Sequence, residues 1–117
     1  MTVFFYDKSF EGMLTCLFEA YRLKDFPEQL LVTDTPIPLF CDHHYTIVTE
    51  ETKSDRVWKH VTSKLSAMGT KEVANCWLSE LPDIDILLFR YLRKTIDSPR
   101  SIETNFADPD VLLLSKI

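Results

Sequence analysis

At 117 residues the chain has the length of one compact domain, and its composition, 45% hydrophobic and 26% charged, excludes a disordered polymer. A net charge of −5 excludes a chain that is basic throughout, so any grip on a nucleic-acid backbone has to come from a local patch or a partner. With two glycines in the whole chain, helices and a few long loops are favoured over a turn-rich all-β fold.

Val3-Phe4-Phe5-Tyr6 is β-branched and aromatic on both faces and reads as a buried strand, with Asp7-Lys8 as its turn. Ser9 is a good N-cap, and Glu11 in the first turn suits the helix dipole. Phe10, Met13, Leu14, Leu17, Phe18 and Tyr21 then repeat at helical spacing. Glu11, Thr15, Glu19 and Arg22 lie off that face, and Pro27 is the expected stop. Leu30 to Val32 is short, apolar and ambiguous in type. A proline-stiffened loop over Thr33 to Pro38 leads to a second strand at Tyr45 to Thr49, which could pair with Val3 to Tyr6.

A second helix is expected from Thr49 or Thr52, with Val57, Val61, Leu65 and Met68 inward and Gly69 as its C-cap. Thr70 is the expected cap of a third helix carrying Val73, Ala74, Trp77, Leu78 and Leu81, which Pro82 ends. Asp83 is expected to cap a fourth, with Ile84, Leu87, Leu88, Tyr91 and Leu92 inward, and Ser98 to Phe106 reads as loop. Asp108-Pro109 opens a fifth helix, with proline at its first position. The fold class is therefore α+β: about five helices beside a small sheet of two or three strands, over residues 1–117 as a single domain. Val111 to Ile117 places adjacent apolar residues at the end of the sequence. This suggests an N-terminal part of a longer protein, or a homo-oligomer formed through Val111–Ile117.

Few residue patterns carry chemistry. Cys16, Cys41 and Cys76 have no Cys-x-x-Cys spacing and read as reduced thiols, two of them in the core. In Cys41-Asp42-His43-His44 the residue types suit a metal, but alternation on a strand lets at most two converge, so neither metal nor cofactor is expected. No glycine-flanked serine elbow or phosphate loop occurs. The carboxylates at Glu50-Glu51 and at Asp83 with Asp85 fall at helix starts, where capping explains them. Lys53, Arg56, Lys59, His60 and Lys64 share one side of the second helix, and Arg90, Arg93, Lys94 and Arg100 gather near the end of the fourth. Both groups are candidate contacts for a nucleic acid or a partner. Tyr6, Asp7, Ser9 and Glu11 are the candidate lining of a cleft at the end of the first strand. The apolar start lacks the form of a secretion signal, and no stretch reaches the length of a membrane span, so a cytoplasmic protein without membrane contact is expected.

One stretch resembles a known family. Phe5-Tyr6-Asp7-Lys8-Ser9-Phe10-Glu11-Gly12 and Phe18-Glu19-Ala20-Tyr21 resemble the start of a bacterial family described as "probable DNA metabolism protein". Leu39-Phe40, Thr49, Asp55-Arg56-Val57 and Leu78-Ser79-Glu80 are similar to its later segments. The resemblance implies an accessory or adaptor role in DNA modification or repair beside a radical-SAM protein. In some members the domain is fused to a uracil-DNA-glycosylase-like module. It implies no catalytic residues. The family usually carries glycine where this chain has Lys8, and its members continue past this endpoint with a segment rich in histidine, arginine and phenylalanine. The Cys41 to His44 run is not part of the family's pattern. Two other readings stand beside the accessory role: an enzyme whose site a further segment completes, and a protein-interaction module unrelated to DNA.

Overall fold

The computed structural model describes residues 1–99, 101–103, 105 and 107–117. Among them are three strands, β1 (Thr2–Tyr6), β2 (Gln29–Val32) and β3 (His43–Thr46). There are five helices, α1 (Phe10–Leu23), α2 (Glu51–Lys64), α3 (Ala67–Leu78), α4 (Ile84–Asp97) and α5 (Pro109–Ser115). The fold is α+β. The chain divides into two compact units, Met1–Val57 and Trp58–Ile117, with the boundary falling inside α2.

In the first unit β1 is the middle strand, in the order β2-β1-β3, and both of its pairings are parallel. All five of its residues are buried, as an unbroken run of β-branched and aromatic side chains requires. Parallel pairing of β1 with β2 cannot be closed by a tight turn, and α1 supplies the crossover. The ambiguous Leu30 to Val32 segment is thus strand, with Phe4 opposite Leu30 and Tyr6 opposite Val32. The other flanking strand starts earlier than its β-branched residues suggest, at His43. Pairing continues just past it, where the Ile47 amide donates to the Phe5 carbonyl at 2.7 Å.

Ser9 caps α1 as expected, its hydroxyl accepting from the Gly12 amide at 2.9 Å. The helix stops before Pro27. Lys24 turns into the left-handed region with φ 54° and its amide closes the last turn, while the Asp25 amide bonds the Ala20 carbonyl at 3.1 Å. Met13, Leu14, Cys16, Leu17 and Ala20 are buried, and so are Thr15 and Glu19, which sequence spacing places off the apolar face. Burying each large apolar side chain stabilises by about 1.5–3 kcal/mol.

In the second unit the helix boundaries differ from the expected ones. Gly69 does not cap α2. Ser66 adopts extended backbone and accepts from the Gly69 amide at 2.9 Å, so α3 begins at Ala67 and neither Gly69 nor Thr70 is a cap. Met68, expected on the inward stripe of α2, is an exposed residue of α3. α3 ends at Leu78, short of Pro82, leaving Leu78 and Leu81 exposed. Asp83 precedes α4 with φ 62° but makes no side-chain cap bond. Ile84, Leu88, Phe89, Tyr91 and Leu92 are buried, while Leu87 is half-buried. α5 follows the expected signal, with Asp108 Oδ1 accepting from the Asp110 amide at 2.9 Å and Pro109 in its first turn.

Among the described residues, six other than glycine stand at positive φ: Lys8, Lys24, Asp34, Phe40, Glu80 and Asp83. An L side chain there costs about 1–2 kcal/mol relative to glycine, partly offset by glycine's greater freedom in the unfolded chain. Lys24 is exposed and ends a helix, so Lys24→Gly is expected to stabilise the fold by about 0.5–1 kcal/mol, seen as a higher midpoint in thermal denaturation. An unchanged or lowered midpoint would contradict the assigned left-handed cap.

Candidate functional site

The residues expected to line a cleft do not converge on one. Tyr6 is fully buried and Glu11 is exposed. Asp7 accepts from the Ser9 hydroxyl at 2.6 Å, the Ser9 amide at 3.0 Å and the Thr49 hydroxyl at 2.8 Å. The Ser9 hydrogen bonds, with Thr49 adding to them, hold the Asp7 carboxyl below the usual aspartate range. Gly12 makes this knot sterically feasible, because a Cβ there would collide with Asp7 Oδ1 and press on the Ser9 and Thr49 hydroxyls. The cluster ties the end of β1 to the entry of α2, and its carboxylate is already satisfied.

Sequence spacing missed the strongest electrostatic feature of the first unit. Glu19 is buried at 5% exposure and receives three donors: Lys53 Nζ, Arg22 Nε at 2.6 Å and Arg22 Nη2 at 2.5 Å. Lys53 also contacts Glu50 at 2.5 Å. Desolvation alone would raise the Glu19 carboxyl, but the Arg22 and Lys53 cations outweigh it and hold it below the ordinary glutamate value. Thr15, fully buried one turn earlier, accepts from the Glu50 amide at 3.2 Å and so receives the start of α2. The signal that could have exposed this arrangement is the row Gly12, Cys16 and Ala20. Small residues at i, i+4 and i+8 mark a second covered side of α1.

The basic candidates go to separate partners. On α2, Lys53 is held by Glu19 and Glu50. Arg56 lies 5.9 Å from the centre of the Phe18 ring, and Lys59 is exposed. Lys64 donates to the carbonyls of Ile96 and Ser98 at 2.7 and 2.8 Å. On α4, Lys94 bridges Asp108 and Asp110 at 2.9 Å each, Arg90 reaches Asp110 at 3.3 Å, and Arg93 lies 3.7 Å from Asp97. Arg100 lies outside the described residues. Asp110 is buried, so these pairs fasten α5 to α4. Val111 packs inward while Leu112, Leu113 and Ile117 stay about half exposed.

The Cys41 to His44 side chains diverge. The Cys41 thiol faces the His43 carbonyl at 3.1 Å, Asp42 pairs with the Met1 amino group, His43 Nδ1 lies 3.2 Å from Asp25, and His44 packs edge-on to Phe5. Between β2 and β3, by contrast, Leu39 and Phe40 are 83% and 92% exposed, with Phe40 at φ 64°. No helix among the described residues is long and apolar enough to cross a membrane. No protein-family model matches the chain, and neither a similar curated protein nor a similar solved structure was found.

Two outcomes follow from the charges. Glu19 has a depressed carboxyl, so its ion pairs contribute stability above the unfolded glutamate value of 4.5 and lose it as pH falls through the lower folded value. Glu19→Gln should lower stability by about 1–3 kcal/mol at neutral pH and flatten part of the acid limb of a pH-dependent unfolding series. An identical acid limb would show that Glu19 titrates as an ordinary carboxylate. Asp110→Asn should release α5, giving faster amide hydrogen exchange over 109–115 than in Asp97→Asn, whose surface pair is worth roughly 0–1 kcal/mol. Equal exchange in the two variants would contradict the fastening role.

Proposed function

We propose that this chain is an accessory or adaptor domain of bacterial DNA modification or repair, working beside a radical-SAM protein and making its contacts through exposed apolar side chains rather than through catalysis. The observation that carries this reading is the state of Leu39 and Phe40. Both belong to the stretches that resemble the DNA-metabolism family, yet neither contributes to the core. A bulky aromatic residue held at positive φ and left in water is costly to the free chain. Such a residue is better suited to an apolar pocket on a partner, where aromatic side chains supply much of the binding energy. Pro36 and Pro38 limit the freedom that the loop would lose on binding.

A second observation supports the same resemblance. Lys8, where the family usually carries glycine, stands at φ 69°, the backbone region glycine occupies without penalty. Position 8 thus has a backbone that a glycine there would suit. The polar candidates favour an adaptor over an enzyme. Asp7 and Ser9 hold each other and the first helix, and Glu19, Lys53, Arg90 and Lys94 are engaged in ion pairs. DNA, on this reading, is reached through the partner or through further protein, with Lys59 and Arg56 as the exposed cations nearest to that task.

The test is co-purification with a radical-SAM protein of the kind that the resemblance implies as its partner. Wild type is expected to be retained, and Leu39→Ser with Phe40→Ser to lose retention with an unchanged melting temperature. A DNA titration across salt concentrations then separates the readings, because phosphate contacts give a steep salt slope. Retention by the partner together with a steep slope in the complex supports the proposal. No association with the partner, and no DNA binding in any form, would leave an interaction module unrelated to DNA.

A further inference from the structure

The second unit contains a partly enclosed groove of about 370 Å³ among α3, α4 and α5. That volume lies within the range of small-molecule sites, which are mostly apolar with a few placed polar groups. Its deepest lining is Val73, Cys76, Tyr91 and Val111, each at most 6% exposed, and Met68 and Leu114 extend the apolar surface outward. Two carboxylates complete it, Glu72 on α3 and Glu103 in the loop before α5.

Glu103 is placed there by the backbone. Its Oε1 accepts from the Ser66 amide at 2.7 Å, at the start of α3. Gly69 leaves room for it, since a Cβ at that position would collide with the carboxylate. No described residue lining the groove is cationic. The cations of α4 that could have answered these charges are turned to other partners, Lys94 to Asp108 and Asp110 and Arg90 to Asp110. The negative field reaches the groove floor: burial first, then Glu103 and Glu72, push the Tyr91 hydroxyl up to about 12.

We propose that this groove binds a small amphiphilic organic cation, its apolar body against Val73, Cys76, Tyr91 and Val111 and its ammonium group facing Glu72 and Glu103. An anion of the same shape would meet two like charges, and a neutral ligand would desolvate the carboxylates without compensation. A partner helix would need an open face spanning several turns, which a partly enclosed groove of this size does not offer. An aromatic amine fits best, because the Tyr91 ring adds a flat apolar surface at the floor. The site goes beyond the adaptor reading and does not depend on it, because Leu39 and Phe40 lie in the other unit.

Tryptamine and indole-3-propionate, which share a ring and differ in charge, are suitable probes for calorimetry and amide chemical-shift titration on the whole chain. Tryptamine should bind saturably, with shifts confined to 66–76, 91, 103 and 111–117. Indole-3-propionate should bind roughly tenfold more weakly or not at all. Glu72→Gln, at an exposed position, should weaken tryptamine about threefold to fivefold with an unchanged melting temperature. Leu114→Trp, which fills the groove from a half-buried position, should abolish binding. Equal affinity for the two probes, no saturation at millimolar tryptamine, or insensitivity to both variants would overturn the proposal, whatever the radical-SAM co-purification shows.

Discussion

A strand with a parallel neighbour on each side has no free edge, and β1 is in that position with all five of its side chains buried as well. Its hydrogen bonds are satisfied only if the chain leaves it, crosses over and returns in the same direction. The crossover α1 must then lie against the sheet, which makes its main face apolar. The same helix must also receive the start of α2 on another side, where the Thr15 hydroxyl accepts from the Glu50 amide. A helix covered on two sides cannot keep all its polar positions in water. Thr15 and Glu19 are the polar residues trapped by this geometry, and each is tolerated because it has partners: the backbone for Thr15, Arg22 and Lys53 for Glu19.

Glycine scarcity shapes the rest. Both glycines sit in helices, where they serve close approach rather than left-handed backbone. Gly12 lets Asp7, Ser9 and Thr49 gather at the start of α1, and Gly69 lets Glu103 settle on the start of α3. The left-handed positions fall instead to residues that pay a steric penalty. At Lys24 and Asp83 the gain is a helix end or a helix entry, which offsets strain locally. At Phe40 the backbone makes a turn between β2 and β3, while the ring stays in water.

Periodicity made the strongest elements legible. β1 announced itself by a run that is apolar on both faces, α1 by its six-residue stripe and its serine cap, and α5 by aspartate followed by proline. The errors gather where one local signal had two uses. Gly69 and Thr70 suggested a boundary by composition, but Ser66 offered a side-chain acceptor three residues before the Gly69 amide, and the helix start followed the hydrogen bond. Phe89 entered the core unannounced because α4 is covered more broadly than a single stripe. Glu19 looked solvated because one-face counting ignores the Gly12, Cys16 and Ala20 row. The Glu103 carboxylate beside Gly69 joins residues far apart in sequence and left no periodic trace at all.

Charge explains why recognition has to be sought away from the basic residues. With 13 cationic side chains against 18 acidic ones, most lysines and arginines that fold into contact find a carboxylate nearby. A phosphate approaching Lys53 or Lys94 would compete with carboxylates already in place, two for each cation. Drawing either cation away would in turn leave Glu19 or Asp110 buried beside fewer cations, at a cost larger than a surface phosphate contact returns. The ion pairs thus withdraw cations from the surface while fixing α1 to α2 and α5 to α4. Among the described residues, Arg56 and Lys59 stay exposed on α2, while Leu39 and Phe40 offer apolar surface and Glu72 and Glu103 acidic surface, and these chemistries would suit different ligands.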